Sequence, residues 1–174
     1  MSKAELVQIL TEQRDAILES CDAMTVEQRL APRTPERWCA QDFVGHLAFW
    51  DQYTLNCLRD TFKNGRPAPM PADAADNDMN ARAVAQRKKH SWQRVRAEFE
   101  NTRTALIQRI EGLAENDLQF YVPSPWVNDD RILSLETIIR EESLEHGAGH
   151  LHEFKTWQQN PANEILSSGE MENI

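Results

Sequence analysis

The segment WCAQDFVGHLAFWD, residues 38–51, begins a helical pattern that decides the fold. Apolar side chains recur at helical spacing through it and for about three further turns. Gly65 is suited to cap the C-terminus of this helix. The proline-rich stretch RPAPMPADAADN, residues 66–77, prevents the helix from continuing and is expected to be a loop. We therefore predict a helix over about residues 40–63.

The same helical spacing of apolar residues appears in three other segments, over residues 3–22, 78–113 and 135–159. Ser134 is a suitable N-cap for the last helix, and the third region is expected to bend near His90, where Ser91 can cap a new helix. The sequence contains no period-two strand pattern of any length, no internal repeat and no low-complexity segment. The pattern predicts an all-α protein: one four-helix bundle over residues 1–160, followed by a C-terminal tail over 161–174.

The 174-residue chain has a formal net charge of −9 and a pI near 5.0. Such a surface repels phosphate groups, and no cluster of Lys and Arg offsets it, so we expect neither nucleic acid nor an anionic membrane as a partner. No apolar run approaches the roughly 18 residues that a transmembrane helix needs, and the N-terminus lacks the pattern of a signal peptide. The three cysteines are widely spaced without a CxxC motif, so we expect reduced thiols and a soluble cytoplasmic protein.

The stretch EHGAGHLHEF, residues 145–154, carries three of the five histidines. His146 and His150 are four positions apart, the spacing at which two imidazoles on one helix face can bind one metal ion. His46 lies among aromatic and aliphatic residues of the predicted second helix, where it can face the bundle interior. Together they predict a three-histidine site with open coordination positions, the pattern of catalytic zinc. The alternatives are two surface imidazoles and a hydrogen-bonded core histidine.

Three stretches resemble the DinB-like family of metal-binding four-helix bundles: WCAQDFVGHLAFWD at 38–51, DNDMNARAVAQRKKHSWQRVRAEFENTRTALI at 76–107 and EHGAGHLHEFKTW at 145–157. The family includes mycothiol-dependent maleylpyruvate isomerases and bacillithiol transferases. The resemblance implies a homodimer and a divalent metal, commonly zinc or nickel, bound here by His46, His146 and His150. The family name refers to DNA damage but does not imply DNA binding, and the net charge of −9 argues against it.

The resemblance also implies an enzyme that transfers a low-molecular-weight thiol to a small electrophile, or isomerises a small substrate through a thiol adduct. A metal ion with open positions lowers the pKa of a thiol that binds it, and activation of water there would instead give a hydrolase. The sequence shows no arrangement of a nucleophilic serine or cysteine, so the metal would carry the chemistry. The alternative is a non-catalytic protein that uses the metal in a stress response, to sequester a small molecule or to brace the bundle.

Helical geometry places two carboxylates one turn from the predicted ligands. Asp42 is expected either to orient a ligand imidazole or to be a charge at the N-terminus of its helix. Glu142 is expected either to hydrogen bond with His146 or to act as a general base. Cys39 is two turns from His46, too far to share a metal ion, and is expected to be a small core residue.

Two features of the sequence allow two interpretations each. Residues 120–131 either fold over the open end of the site, with Tyr121 and Trp126 lining a substrate pocket, or form a surface loop with packed aromatic rings. Gly147 and Gly149 each cost roughly 1 kcal/mol against alanine inside a helix. Either they let a neighbouring helix or subunit come close, or they reflect tolerant packing.

Overall fold

The computed structural model describes residues 1–34, 36–70, 76–126 and 129–159, and for residues 76–78 it describes the backbone alone. The predicted C-terminal tail and the centre of the predicted proline-rich loop lie outside these residues. Within the described ranges, no helix combines the length and the apolar character needed to cross a lipid bilayer.

Helices make up most of the described chain. In chain order they are α1 (Lys3–Asp22), α2 (Val26–Leu30), α3 (Ala40–Asn64), α4 (Asp76–Arg87), α5 (Trp92–Glu111), a 3-10 turn (Glu115–Gln119), α6 (Leu135–Ile139), a π segment (Arg140–Glu145) and α7 (His146–Gln159). The strands β1 (Tyr121–Pro123) and β2 (Ile132–Ser134) lie between the 3-10 turn and α6. Helices α1, α3 and α5 pack with the continuous stretch from α6 to α7. The predicted all-α four-helix bundle is thereby confirmed.

The helix ends follow the capping residues in the sequence. Gly65 ends α3 in a left-handed conformation with φ 78°, which glycine adopts without steric cost. Ser134 caps α6 through its hydroxyl, which accepts a backbone N–H at 3.0 Å. The bend expected near His90 is a complete break, because α4 ends at Arg87 and Ser91 caps α5.

The stretch before α6 was expected to contain no strand, and that prediction was wrong. β1 and β2 pair antiparallel, with Val122 opposite Leu133. Both of these side chains are buried against the bundle, whereas Tyr121 and Ile132 point into solvent. Three residues are too few to show a period-two pattern in the sequence, so the ribbon has no clear local signal.

Apolar side chains fill the bundle in two clusters, each with contributions from all four long helical stretches. One cluster includes Leu6, Leu10, Leu58, Leu106, Ile110 and Ile139. The other includes Ile17, Val44, Leu47, Phe99 and Phe154. Complete burial of such a side chain stabilises the fold by about 1.5–3 kcal/mol, so these two clusters supply most of the driving force for packing.

Between these two clusters, each of the four long helical stretches contributes one polar side chain. These side chains form the polar layer, which consists of Gln13, Asp51, Arg103 and Ser143. The Arg103 guanidinium is fully buried and donates from Nε to Asp51 Oδ2 at 2.7 Å. Its two remaining nitrogens donate to Gln13 Oε1 at 2.7 Å and to the Ser143 carbonyl at 3.2 Å. One arginine of α5 therefore contacts α1, α3 and the π segment.

The presence of glycine at position 147 has a steric reason. A Cβ at this position would lie 2.4 Å from Gln13 Oε1 and 2.8 Å from Gln13 Cδ, closer than real contacts allow. The glycine thus admits the Gln13 amide, as expected for close approach of a neighbouring helix. Gly149 has no such reason, because a Cβ there would meet nothing within 4 Å.

Arg103→Met tests how strongly the bundle depends on the polar layer. The variant leaves the Asp51 carboxylate buried without its counter-charge, so we expect the free energy of unfolding to fall by about 3–5 kcal/mol in urea denaturation of metal-free protein. Arg59→Met breaks an exposed ion pair with Asp60 and serves as the matched control, with a change of less than about 1 kcal/mol. Equal losses in the two variants would contradict this account.

Candidate metal centre

The three histidines singled out in the sequence lie together at one side of the bundle. His46 projects from the second turn of α3 and is 3% exposed, while His146 and His150 lie on successive turns of α7. The Nε2 atom of His146 is 2.8 Å from that of His46 and 3.0 Å from that of His150. One ring nitrogen from each histidine lies within 4.8 Å of the others. That these nitrogens bind a metal stays a prediction.

The outer ring nitrogens of the two α7 histidines are tied to the last helical stretch. His150 Nδ1 is 2.7 Å from Glu153 Oε2, and a carboxylate there requires a proton on Nδ1. His146 makes a hydrogen bond to the backbone of Glu142, which favours a ring proton on the nitrogen away from the cluster. These contacts direct both Nε2 atoms inward as lone pairs.

The facing Nε2 atoms are close enough for a proton or a metal ion to lie between them, and the tautomers of the rings decide which. A neutral imidazole carries one ring proton, and the contacts of His150 with Glu153 and of His146 with Glu142 favour that proton on the outer nitrogen of each ring. Two lone pairs 3.0 Å apart with no proton between them repel each other. Tetrahedral zinc with bonds to imidazole of about 2.0–2.1 Å places ligand nitrogens about 3.3–3.4 Å apart, a few tenths of an ångström more than the 2.8 and 3.0 Å found here. The donor set therefore suits a divalent metal after a small outward shift of the rings.

His46 differs from the other two histidines in its outer contact. Its Nδ1 is buried and has no hydrogen-bond partner within the described part of the chain. Its orientation comes instead from packing, with the rings of Trp38 and Trp50 at centroid distances of 5.7 and 6.2 Å. The aromatic surroundings noted in the sequence therefore hold the ring without fixing its tautomer.

Burial keeps the imidazoles of His46 and His146 neutral near neutral pH. Removal from water, with a smaller contribution from the other histidines, lowers the pKa of His46 to about 2. Burial likewise lowers the pKa of His146 to about 3, with the His150 charge adding to the effect. Metal binding requires unprotonated imidazoles, and His46 and His146 are in that form near neutral pH.

A cavity of about 910 Å³ opens onto the three histidines, a size that suits a small organic molecule. Its remaining lining residues are Thr34, Glu36, Trp38, Phe43, Asn80, Ala81, Val84, Ala85, Lys88 and Glu153. Asn80, Val84 and Lys88 are spaced by four, so α4 and the residue just after it present one face to the cavity. This wall was not anticipated from the sequence, although its spacing could have indicated it.

The described aromatic residues of the stretch before β2 do not line this cavity. Trp126 packs on Trp50 and Tyr53 at centroid distances of 5.4 Å, and Trp50 in turn donates from Nε1 to Asn80 Oδ1 at 3.0 Å. Tyr121 is 63% exposed on the ribbon. Of the two interpretations of this stretch, a surface segment with packed aromatic rings describes it, and the expectation that Tyr121 and Trp126 line the pocket was wrong.

Two carboxylates next to the site, those of Asp42 and Glu153, have defined hydrogen-bond partners. Asp42 accepts from the Cys39 backbone at 3.0 Å and from Lys88 Nζ at 2.6 Å, so it caps the N-terminus of α3 and does not orient an imidazole. Cys39 is a buried core residue, as expected. Glu153, whose role the sequence analysis missed, follows His150 by three positions, a spacing at which helix side chains meet.

Acidification should destabilise the metal-free protein through these histidines. Because the folded pKa values of His46 and His146 lie below the unfolded value near 6.5, the unfolded chain binds protons first as the pH falls. We expect each histidine to remove about 1.4 kcal/mol of stability per pH unit below about pH 6. Urea denaturation from about pH 7 to pH 4.5 measures this slope.

His46→Gln should reduce that slope by about 1.4 kcal/mol per pH unit, the contribution of one proton. Substitution of the exposed His152 by Gln should leave the slope unchanged. Identical slopes in wild type and His46→Gln would show that His46 is not held neutral by the fold.

Comparison with known proteins gives a consistent picture. The family model described as DinB superfamily matches residues 9–153. Among solved structures, DfsB, a sibling lethal factor precursor, has a TM-score of 0.76 and 17% identity over 94% of this chain and 98% of its own. YfiT from Bacillus subtilis, titled a probable metal-dependent hydrolase with an unusual four-helix bundle topology, has a TM-score of 0.74 and 16% identity over 90% and 86%.

The colibactin self-resistance protein ClbS, solved in complex with a dsDNA, has a TM-score of 0.74 and 14% identity over 91% of this chain and 96% of its own. No match was found among curated proteins. At these identities the solved structures show a common fold alone.

Proposed function

The chain belongs to the DinB superfamily, and from this membership and the geometry of the three histidines we propose that it is a divalent-metal-dependent enzyme acting on a small molecule. One observation carries the proposal: the Nε2 atom of His146 lies 3.0 Å from that of His150 and 2.8 Å from that of the buried His46. His46, His146 and His150 would hold the metal, with zinc and nickel as the candidates.

A metal held by three imidazoles has open coordination positions and lowers the pKa of a thiol or a water that binds there. Other residues of the chain would orient the metal ligands and form the walls of the substrate cavity. Glu153 orients His150, Trp38 and Phe43 exclude water from one side of the cavity, and α4 forms the opposite wall. The cavity is large enough to place a small substrate next to the histidines.

An external thiol is the nucleophile that this chain favours for a transfer or isomerisation reaction. All three cysteines are buried, and burial raises the pKa of Cys21 and Cys57 to about 12 and that of Cys39 to about 11. Such thiols are not thiolates near neutral pH and do not serve as nucleophiles. A low-molecular-weight thiol that enters the cavity is therefore the proposed co-substrate.

Hydrolysis is the second candidate, because YfiT, a protein of the same fold, is titled a probable metal-dependent hydrolase. Nucleic acid is not proposed as a partner, although ClbS was solved in complex with a dsDNA. The net charge of −9 opposes a phosphate backbone. The proposal further includes a cytoplasmic homodimer, which rests on the family resemblance, the reduced cysteines and the frequency of two-fold dimers.

Elemental analysis of untagged protein tests the metal site directly. We expect about one divalent metal per chain in wild type and loss of that metal in His46→Ala and in His150→Ala, because each removes one of three ligands. The exposed His152→Ala is the matched control and should keep the metal. Absence of metal from wild type, even after incubation with zinc and nickel salts, would overturn the proposal.

Cobalt substitution then separates an open site from a closed one. An open position should bind imidazole or a small thiol and shift the visible spectrum of the cobalt form. A spectrum that neither ligand changes would favour the non-catalytic alternative, in which the metal braces the bundle. If the site is open, two activity assays distinguish transfer from hydrolysis. Turnover of a thiol together with an electrophile indicates transfer, and turnover of an ester or amide substrate indicates hydrolysis.

A further inference from the structure

The π segment Arg140–Glu145 directly precedes His146, and side chains bond the backbone at three consecutive positions within it. The Ser143 carbonyl accepts from Arg103 Nη2 at 3.2 Å, and the Leu144 carbonyl accepts from Gln13 Nε2 at 2.8 Å. The backbone of Glu142 bonds to His146 itself. The irregular turn is thus held from outside by two side chains of other helices.

A π turn changes the direction of every residue that follows it. It inserts one extra residue into the helix, which rotates the next helix by about 100° relative to the preceding one. A π turn is rare and is less stable than a regular helix, so it persists where other contacts hold it. The direction of His146 relative to α6 therefore depends on the contacts made at Ser143 and Leu144.

The same contacts tie the π segment to the helix that carries His46. Arg103 donates to Asp51 on α3, five residues after His46, and to the Ser143 carbonyl, three residues before His146. Gln13 accepts from Arg103 at 2.7 Å while it donates to Leu144, so the two side chains act together. One buried guanidinium fixes the separation of the two helices that bring His46 and His146 to 2.8 Å.

We infer that Gln13 and Arg103 are positioning residues for the metal centre: they hold the π segment and so direct the His146 ring at His46. Gly147 belongs to the same arrangement, because any side chain there would displace the Gln13 amide. The inference rests on the metal site of the proposed function. If Gln13 had a purely structural role, its substitution would lower the stability of the fold and leave the metal site of the folded protein unchanged.

Gln13→Leu distinguishes these roles. The variant keeps the bulk of the side chain and removes its bonds to Leu144 and to Arg103, so we expect cobalt or zinc affinity to fall by about 10- to 100-fold, with an altered visible spectrum of the cobalt form. Gln158→Leu is the matched control, because the Gln158 amide on α7 donates to the Ser20 carbonyl on α1 at 2.6 Å, away from the π segment. Equal affinities for all three proteins would overturn the inference.

A double-mutant cycle tests the steric part. Gly147→Ala should weaken metal binding to a similar degree as Gln13→Ala, and the double variant should be no weaker than Gln13→Ala, because the displaced amide is already absent. Gly149→Ala, where a Cβ meets nothing within 4 Å, should leave affinity unchanged. Independent, additive losses at residues 13 and 147 would contradict a shared route to His146.

A failure of the proposed function would leave the inference testable in metal-free protein. NMR of the His146 ring reports its tautomer and its contact with His46, neither of which requires metal. Gln13→Leu should shift the ring signals of His146, and Gln158→Leu should not. If wild type binds no metal, the proposed function fails, whereas unchanged His146 signals in Gln13→Leu would refute the positioning role by itself.

Discussion

The buried Arg103–Asp51 ion pair is the constraint on which the rest of the structure depends. Both charges are removed from water, which costs several kcal/mol per ion unless the partner and further hydrogen bonds compensate. The compensation comes from Gln13 on α1 and the Ser143 carbonyl in the π segment, so all four parts of the bundle must meet in one register. Apolar clusters on either side supply the driving force for packing, but they tolerate small shifts that a charged layer does not.

The candidate metal centre depends on this rigidity. Its three imidazoles come from two helices, and the Nε2 pair of His46 and His146 spans the gap between them at 2.8 Å. Burial suppresses protonation of His46 and His146 near neutral pH, so these two rings carry no positive charge that would oppose a metal ion. Ala81 and Ala85 of α4 line the cavity that opens onto the histidines, and the Trp50 ring lies at a centroid distance of 6.2 Å from that of His146.

Much of this arrangement was predictable from local patterns. Helical spacing, the caps at Gly65 and Ser134 and the proline-rich stretch predicted the four-helix bundle, and the family match confirms the resemblance. The candidate ligands were also indicated locally, since four-residue spacing on one helix places His146 and His150 on one face. The pairing of Asp42 with the N-terminus of α3 followed the same logic. The ribbon, with Val122 opposite Leu133, had no comparable signal, because its strands are only three residues long.

The sequence by itself determined the helices, their caps and the identity of the candidate ligands, because each of these depends on residues within a few turns of one another. Only the tertiary structure decided that His46 meets His146 across one hundred positions of chain, that Gly147 makes room for Gln13, and that the last helix contains a π turn. The physical reason is that these features are stabilised by side chains of other helices. Their effect appears only where apolar packing brings those helices together and the buried charge of Arg103 sets their register.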